Sequence, residues 1–345
     1  MENNHFKYAD ERFADLQLLR YRVPGFSTLT LQQKCYVYCL TEAALWGRDI
    51  TYDQQGFYNL CIRQLLEEIY TRYEGDRTTA DFRAFEGYLK RVWFSNGIHH
   101  HYGMEKLQPG FSEDFIRSQK QLVLSSERFM QLCARSGTDF EELCAVMFRS
   151  DLLPKRVNKA DGEDLVRTSA CNFYQGVTQS EVEGFYAAMK TNEKEPPSWG
   201  LNSTLVKNAD GEIEEQVWKV GGRYSSTIKH ICHWLQKAAA YAESEAQRRV
   251  IRLLVDYYET GDLRRFDQYS IAWVKTHDGM IDFINGFIEV YGDPLGLKGT
   301  WESIVEIKDM EATRRTKLIS SNAQWFEDHS PVAPEYRKPT VKGVS

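Results

Sequence analysis

The most informative segment of the sequence is residues 288–296, which read Ile-Glu-Val-Tyr-Gly-Asp-Pro-Leu-Gly. Side chains alternate along a strand with period two, so Glu289 and Tyr291 share a face only if the backbone is extended. β-Branched neighbours favour that conformation. Pro294 disfavours helical backbone in the residue before it and indicates a turn. We therefore predict a strand over residues 280–291.

The predicted strand places an acid and a phenol side by side. Phe287, Glu289 and Tyr291 are expected on one face, with Ile288 and Val290 on the other. The carboxylate of Glu289 then suits a free amino group, and the hydroxyl of Tyr291 suits a carbonyl oxygen. The alternative from these residues alone is a surface glutamate and a half-buried tyrosine on an edge strand.

The N-terminal part of the chain reads as helices with clear start signals. Thr30 and Gln33 form a capping box before a helix over residues 31–46, and Gly47 is expected to end it. Two more helices begin in the same way. Their caps are Thr78 with Asp81, for a helix to residue 93, and Thr178 with Glu181, for a helix to residue 189.

The pattern changes after residue 200. Residues 201–207 and 212–220 have strand-like content and flank Asn-Ala-Asp-Gly, a strong hairpin signal. Besides the strand over residues 280–291, this part is expected to contain helices over residues 225–246, 246–259, 263–276 and 301–320.

This mixture predicts an α+β fold, a helix-rich lobe with a small antiparallel sheet or barrel built from distant strands. We expect residues 1–330 to form the lobe, helical over residues 1–195 and mixed in strand and helix over residues 196–330. Residues 331–345 begin within the sequence Ser-Pro-Val-Ala-Pro (330–334) and read as a linker or hinge entry.

Composition excludes several classes of protein. The formal net charge of −6 and the pI near 5.8 argue against a nucleic-acid binder. Seven scattered cysteines without a Cys-x-x-Cys motif favour reduced thiols. No apolar run is long enough to span a membrane. Residues 1–5 lack the form of a signal peptide, so we expect a cytoplasmic protein; a leader removed earlier would leave the same sequence.

Several segments, in order along the chain, resemble the dipeptidyl peptidase III family, and its bacterial branch in particular. These are zinc peptidases that remove dipeptides from the N-termini of short peptides. The similarity covers essentially the whole chain. The segments that carry it are LRYRVPGF (19–26), NGIHHHY (96–102), NFYQGVT (172–178), VWKVGG (217–222), MIDFINGF (280–287), IEVYGDPLG (288–296) and WESIV (301–305).

The resemblance implies roles for three residues. Glu289 matches the acid that binds the free α-amino group of the substrate, and Tyr291 the phenol that donates to the scissile carbonyl as negative charge develops. Tyr102 ends a loop that lies beside the cleft in the family and is expected to wall a peptide subsite. Its alternative is a tyrosine packed under the loop. Gly292 stands where other members carry a larger residue.

The resemblance also implies a partner. The chain corresponds to the N-terminal, substrate-binding lobe, the lower half of a two-lobed peptidase, and the C-terminal catalytic lobe of the same protein holds the zinc. The family motif His-Glu-x-x-Gly-His is absent from these 345 residues, and so is any His-Glu pair. The three adjacent histidines 99–101 diverge in direction and are not expected to share a metal ion.

We therefore expect zinc in the full-length enzyme and no metal ligands in this chain, which alone is expected to be inactive. Its partners are oligopeptide substrates and the catalytic lobe, not nucleic acid or a membrane. The alternative is a stand-alone, non-catalytic peptide-binding or interaction module.

Overall fold

The computed structural model describes residues 6–277 and 279–342. Residues 1–5, which carry the argument about a leader, and the last three residues of the predicted linker lie outside this part. No helix in the described ranges is long and apolar enough to cross a membrane. All seven cysteines are free thiols, and six of them are buried.

Helices dominate the N-terminal part, as predicted, after a short hairpin of β1 (Ala9–Phe13) and β2 (Leu16–Leu19). The capping box of Thr30 and Gln33 is present at the first helix. The fourth helix is capped by Thr79, one residue after the predicted cap. The helices are α1 (Leu31–Trp46), α2 (Arg48–Gln55), α3 (Asn59–Arg72), α4 (Ala80–Ser95), α5 (Glu113–Ser118), α6 (Lys120–Leu124), α7 (Glu127–Ser136) and α8 (Phe140–Phe148).

A three-stranded sheet opens the second part. Its strands are β3 (Tyr174–Gln175), β4 (Ser203–Lys207) and β5 (Ile213–Val217), with α9 (Gln179–Met189) between the first two. The strands lie in the order β3-β4-β5, and β4 and β5 form the hairpin that the Asn-Ala-Asp-Gly turn predicts. Three helices follow, close to the predicted bounds: α10 (Ser225–Tyr241), α11 (Glu245–Thr260) and α12 (Leu263–Val274).

The prediction of a helix over residues 301–320 is wrong in its first part. Residues Thr300–Ile307 form β7, which pairs antiparallel with β6 (Ile281–Glu289). Alternating burial along the β-branched run favours a strand, and pairing with β6 supplies the hydrogen bonds. The helix α13 (Met310–Ser320) begins only after its cap, Asp309, and α14 (Ala323–Asp328) follows.

A β-bulge modifies the predicted strand over residues 280–291. Phe287 pairs with Trp301 and Glu289 with Thr300, so β6 carries one residue more than β7 at this point. The strand ends at Glu289, and Tyr291 lies in the following turn. The predicted common face is therefore wrong for Phe287, which is buried, whereas Glu289 and Tyr291 are exposed.

The β6–β7 hairpin belongs to one of two large apolar cores, and α2, which contributes Tyr52 to the other core, packs against the hairpin. One core packs α1, α10, α11 and α12 against the hairpin, and the other lies among α3, α4, α7 and α8. Gln54, near the end of α2, connects them. Its side-chain nitrogen donates to the carbonyl of Gly299 at 3.1 Å, and its side-chain oxygen accepts from the amide of Trp301 at 2.8 Å. The fold is thus α+β and helix-rich with small sheets, as predicted, and the described strands form sheets of two or three strands, antiparallel except for the parallel pair of β3 and β4.

Candidate functional site

The turn that carries Tyr291 is anchored by the buried carboxylate of Asp293. This carboxylate accepts the hydroxyl of Tyr174 at 2.7 Å and the backbone amides of Leu297 and Lys298 at 2.8 and 2.9 Å. Charge-assisted bonds of this kind are stronger than neutral ones. The turn that follows β6 is therefore held in place by Asp293, which is two residues after Tyr291.

A buried lysine lies at the other end of the same turn. Lys298 is fully buried, and its ammonium donates to Ser203 Oγ at 3.0 Å and to the hydroxyl of Tyr186. Both hydroxyls also donate to Glu215, at 2.5 and 2.7 Å. Burial lowers the pKa of Lys298 to about 8, and the charges of Glu215 and Asp293 oppose that shift. The network ties the turn to α9 and the three-stranded sheet.

Tyr291 lies at the edge of a small cavity of about 130 Å³. Its side chain is 60% exposed. The ring therefore faces solvent and the cavity rather than the core. The other residues that line this cavity are Gln54, Gln55, Phe94, Ser95, Asn96, His101, Arg156, Cys171, Phe173, Gly292 and Thr300.

Glu289 lies beside a second carboxylate. Its side chain is exposed, and it is close enough to Glu302 on β7 for its charge to act there. Burial raises the pKa of Glu302, and the charge of Glu289 raises it further. Two neighbouring carboxylates attract a cation. Glu289 is not one of the described residues that line the Tyr291 cavity.

Tyr102 lies at the tip of a loop near that cavity. The loop is closed by a bridge between His99 and Lys106 and by the amides of Tyr102 and Gly103, which donate to His100 Nδ1 at 3.2 and 2.9 Å. The Tyr102 side chain is 85% exposed, so the alternative of a tyrosine packed under the loop is wrong. Its neighbour, His101, lines the cavity.

Of the three adjacent histidines, His100 and His101 lie with their ring centroids 4.4 Å apart, so only His99 diverges from its neighbours. His99 is buried, bonds the carbonyl of Leu153 at 2.9 Å, and has its pKa lowered to about 4 by burial. His101 instead meets the ring of Phe94 edge-on. Within residues 6–277 and 279–342, no group of three or more His, Cys, Asp or Glu side chains is arranged to hold a metal ion. The zinc that the family resemblance implies does not fit the described residues.

A larger cavity of about 610 Å³ adjoins the first at Asn96, the C-terminal cap of α4, which lines both. Exposed indoles of Trp46 and Trp93 form part of its wall. Arg63 stacks over the ring of Tyr52 at 4.5 Å in the same cavity. The surface next to Tyr291 thus offers aromatic walls and charges of both signs.

Sequence reasoning missed two polar residues of this site. Glu302 was assigned to a helix, and only the pairing of β7 with β6 brings it to Glu289. Arg156 lies in a turn-rich segment more than a hundred residues before Tyr291. Nothing near it in the sequence indicates that the two residues line one cavity.

Comparison with known proteins gives a consistent result. The sequence model of peptidase family M49 matches residues 175–343. The dipeptidyl peptidase 3 of Nematostella vectensis is 22% identical over 368 residues, which cover 95% of this chain and 50% of that protein. The dipeptidyl peptidase 3 of Homo sapiens is 20% identical, with 91% of this chain and 47% of that protein covered.

The fold agrees with solved structures. The structure of DPP III from Caldithrix abyssi superposes with a TM-score of 0.61 at 18% identity, over 91% of this chain and 47% of that one. The dipeptidyl-peptidase III of Corallococcus sp. strain EGB gives a TM-score of 0.60 over 92% and 47%. The chain spans about half the length of the relatives it matches. The M49 model covers just under half of this chain, and the resemblance to the dipeptidyl peptidase III family is confirmed.

Proposed function

We propose that this chain is the substrate-binding half of a zinc peptidase that releases dipeptides from the N-termini of oligopeptides. The observation that carries the proposal is that Glu289 and Glu302 lie on the paired strands of one hairpin, close enough for the charge of Glu289 to act on Glu302, next to the turn of Tyr291. A pair of carboxylates, one with a raised pKa, suits the ammonium group of a free peptide N-terminus.

Each residue then has a defined role. Glu289, supported by Glu302, holds the substrate's α-amino group, and Tyr291 donates its hydroxyl to the scissile carbonyl as negative charge develops on the oxygen. Anchoring the charged terminus at a fixed distance from the phenol limits cleavage to dipeptides. Tyr102, exposed on the loop beside the cavity, walls a subsite for the peptide.

The zinc belongs, in this proposal, to a second lobe. The described residues supply no ligand set, and the chain spans about half the length of its relatives. A face of this chain suits such a lobe, because α13 and α14 have no buried residue. Their exposed apolar side chains include Leu318, Ile319, Trp325 and Phe326.

We propose that residues 1–330 form the substrate-binding lobe and that residues 331–345 lead toward the catalytic lobe. A cytoplasmic location is part of the proposal, on the composition of the chain alone.

Blocking the peptide N-terminus tests the role of Glu289 in the complete enzyme. Acetylation removes the ammonium charge of a tetrapeptide substrate. It should lower kcat/KM of the wild-type enzyme by about 10- to 100-fold, the value of a charge-assisted hydrogen bond. Glu289→Gln should lose activity on the free peptide and discriminate poorly between free and acetylated peptides.

Glu306→Gln is the matched control, because Glu306 is an exposed glutamate on β7 of the same hairpin, at its far end and opposite Asp282. It should discriminate as the wild type does. If acetylation costs the wild type and Glu289→Gln the same factor, Glu289 is not the anchor and the proposal fails.

A further inference from the structure

Arg156 is a buried cation that has no acidic partner within residues 6–277 and 279–342. The side chain is 6% exposed; Nη1 donates to Gln55 Oε1 at 2.6 Å, and Nη2 donates to the carbonyl of His101 at 3.3 Å. Nε is buried and has no hydrogen-bond partner among the described residues. Burial lowers the pKa of Arg156, and the groups that counteract this are Cys171 and Tyr291, not a carboxylate. A buried guanidinium without a carboxylate partner destabilises the folded protein, and a bound anion would offset that cost.

The guanidinium lines the same cavity of about 130 Å³ as Tyr291. A cavity of this size is far below that of a drug-sized site and suits one side chain. Phe94 and Phe173 supply apolar wall, and Thr300 supplies a hydroxyl. A short aliphatic stem with a charged end matches this lining.

We propose that Arg156 forms a subsite for an acidic side chain, aspartate or glutamate, of the bound peptide. Guanidinium and carboxylate match in plane and charge, and the unused Nε offers the hydrogen bond that the protein does not. The chain carries a net charge of −6, so its overall field does not attract anions, and the preference arises from local contact.

The position of the acidic residue rests on the proposed function. Tyr291 shares the cavity, and its hydroxyl is assigned to the scissile carbonyl. The acid is therefore at one of the two residues that flank the cleaved bond, the second or the third of the peptide. The first residue is held at Glu289, which does not line the cavity.

Matched tetrapeptides test the preference on the wild-type chain by isothermal titration calorimetry. Ala-Glu-Ala-Ala is compared with Ala-Gln-Ala-Ala, and Ala-Ala-Glu-Ala with Ala-Ala-Gln-Ala, since Glu and Gln differ in charge and hardly in shape. At one of the two positions the glutamate peptide should bind about 10-fold more tightly, as a charge-assisted bond implies. Equal affinities for the glutamate and glutamine peptides at both positions would contradict the proposed acidic subsite. They would not contradict the proposal that the chain binds peptides.

A second measurement does not depend on peptide binding. The Nε–H group of Arg156 gives a resonance in nitrogen-15 NMR spectra, assigned by its loss in Arg156→Lys. Propionate, which reproduces the end of a glutamate side chain, should shift this resonance, and propionamide should not. If no tetrapeptide binds, the proposed function fails for this chain, while the propionate titration still decides the subsite. An Nε–H resonance that propionate leaves unmoved overturns it.

Variants separate recognition from structure. Arg156→Gln should abolish the preference for glutamate, and Arg156→Lys, which keeps the charge without the planar fork, should retain part of it. Arg149→Gln is the control, because Arg149 is exposed, lies nearby in sequence, and pairs with Asp151 at 2.6 Å. It should retain the full preference. Thermal unfolding checks that each variant folds. If Arg156→Gln does not fold, the calorimetric titration with tetrapeptides and the NMR titration with propionate, both on the wild-type chain, still test the subsite.

Discussion

The indole of Trp301 packs directly against Gly47, at the junction of α1 and α2. A Cβ atom built on Gly47 would overlap the six-membered part of that ring. The backbone of Gly47 has φ −77°, which any residue adopts. Gly47 is the C-terminal cap of α1, as predicted. The reason that it must be glycine is the close approach of β7, since its backbone is not left-handed.

Gly47→Ala should destabilise the protein. Overpacking of a filled interior typically costs about 1–3 kcal/mol. We expect the free energy of unfolding to fall by about that amount, measured by urea denaturation followed by tryptophan fluorescence or circular dichroism.

Two further variants test whether the loss of stability in Gly47→Ala comes from the contact with Trp301. Gly184→Ala, in the middle of α9, adds a Cβ that meets nothing within 4 Å, so it should be neutral or stabilising by up to about 1 kcal/mol. Trp301→Leu should remove most of the additional cost of Gly47→Ala in a double-mutant cycle. Additive effects of Gly47→Ala and Trp301→Leu would contradict the contact.

Lys298 should make stability depend on pH. Burial lowers its pKa to about 8, below the value of about 10.4 for lysine in an unfolded chain. Between these values the unfolded chain binds more protons at this group than the folded protein does. The free energy of unfolding therefore rises with pH in this window, by up to about 1.4 kcal/mol per pH unit, and this contribution is lost as pH falls through about 8.

Lys298→Met removes the titrating group and keeps the apolar stem. The difference in unfolding free energy, wild type minus variant, should increase from about pH 8 to about pH 9.5. Urea titrations at several pH values measure it. The comparison stays below the range in which exposed tyrosines ionise, near pH 10. Parallel curves for the two proteins would show that Lys298 does not titrate in this window.

The chain as it stands should bind no stoichiometric zinc and release no dipeptides. The described residues offer no group of metal ligands, and the His-Glu-x-x-Gly-His motif is absent from the sequence. Elemental analysis after dialysis measures the metal, and a chromogenic dipeptide substrate measures the activity. One tightly held zinc per chain together with dipeptide release would contradict the division of labour between two lobes. Peptide binding without cleavage is also what a stand-alone module would show, so the test must include the complete coding sequence.

Tyr291→Phe should slow catalysis in the complete enzyme while leaving the fold intact, since the ring is 60% exposed. Loss of one oxyanion donor typically lowers kcat by roughly 10²–10³-fold, about 2.7–4 kcal/mol. The hydroxyl acts mainly in the transition state, so KM should change little. A rise in KM with unchanged kcat would instead assign Tyr291 to ground-state binding.

The sequence predicts the helices and the β4–β5 hairpin well, because capping boxes and turn residues act over three or four positions. It is less successful at the second hairpin. Residues 301–320 contain both a strand and a helix, and the boundary depends on pairing with a segment that lies earlier in the chain. The pattern of residues within the segment 301–320 carries no information about that pairing.

The site shows the same division. Glu289 and Tyr291 stand out because they are two residues apart between β-branched neighbours. Glu302 and Arg156 reach them only through tertiary structure, and the bulge at Phe287 cannot be read from alternation. The local sequence identifies individual candidate side chains, and long-range packing determines which of them lie together in the folded protein.

The bulge in β6 has a consequence for how the family can vary. Gly299 faces it so closely that a Cβ there would lie 2.7 Å from the carbonyl carbon of Phe287. The extra residue fixes the side of the hairpin toward which the next turn projects. Deleting one residue between Gly286 and Asp293 would restore regular alternation and turn the phenol of Tyr291 away from the cavity. Selection is therefore expected to act on the length of this segment more strictly than on most of its side chains, and a single-codon deletion there should be less tolerated than many substitutions.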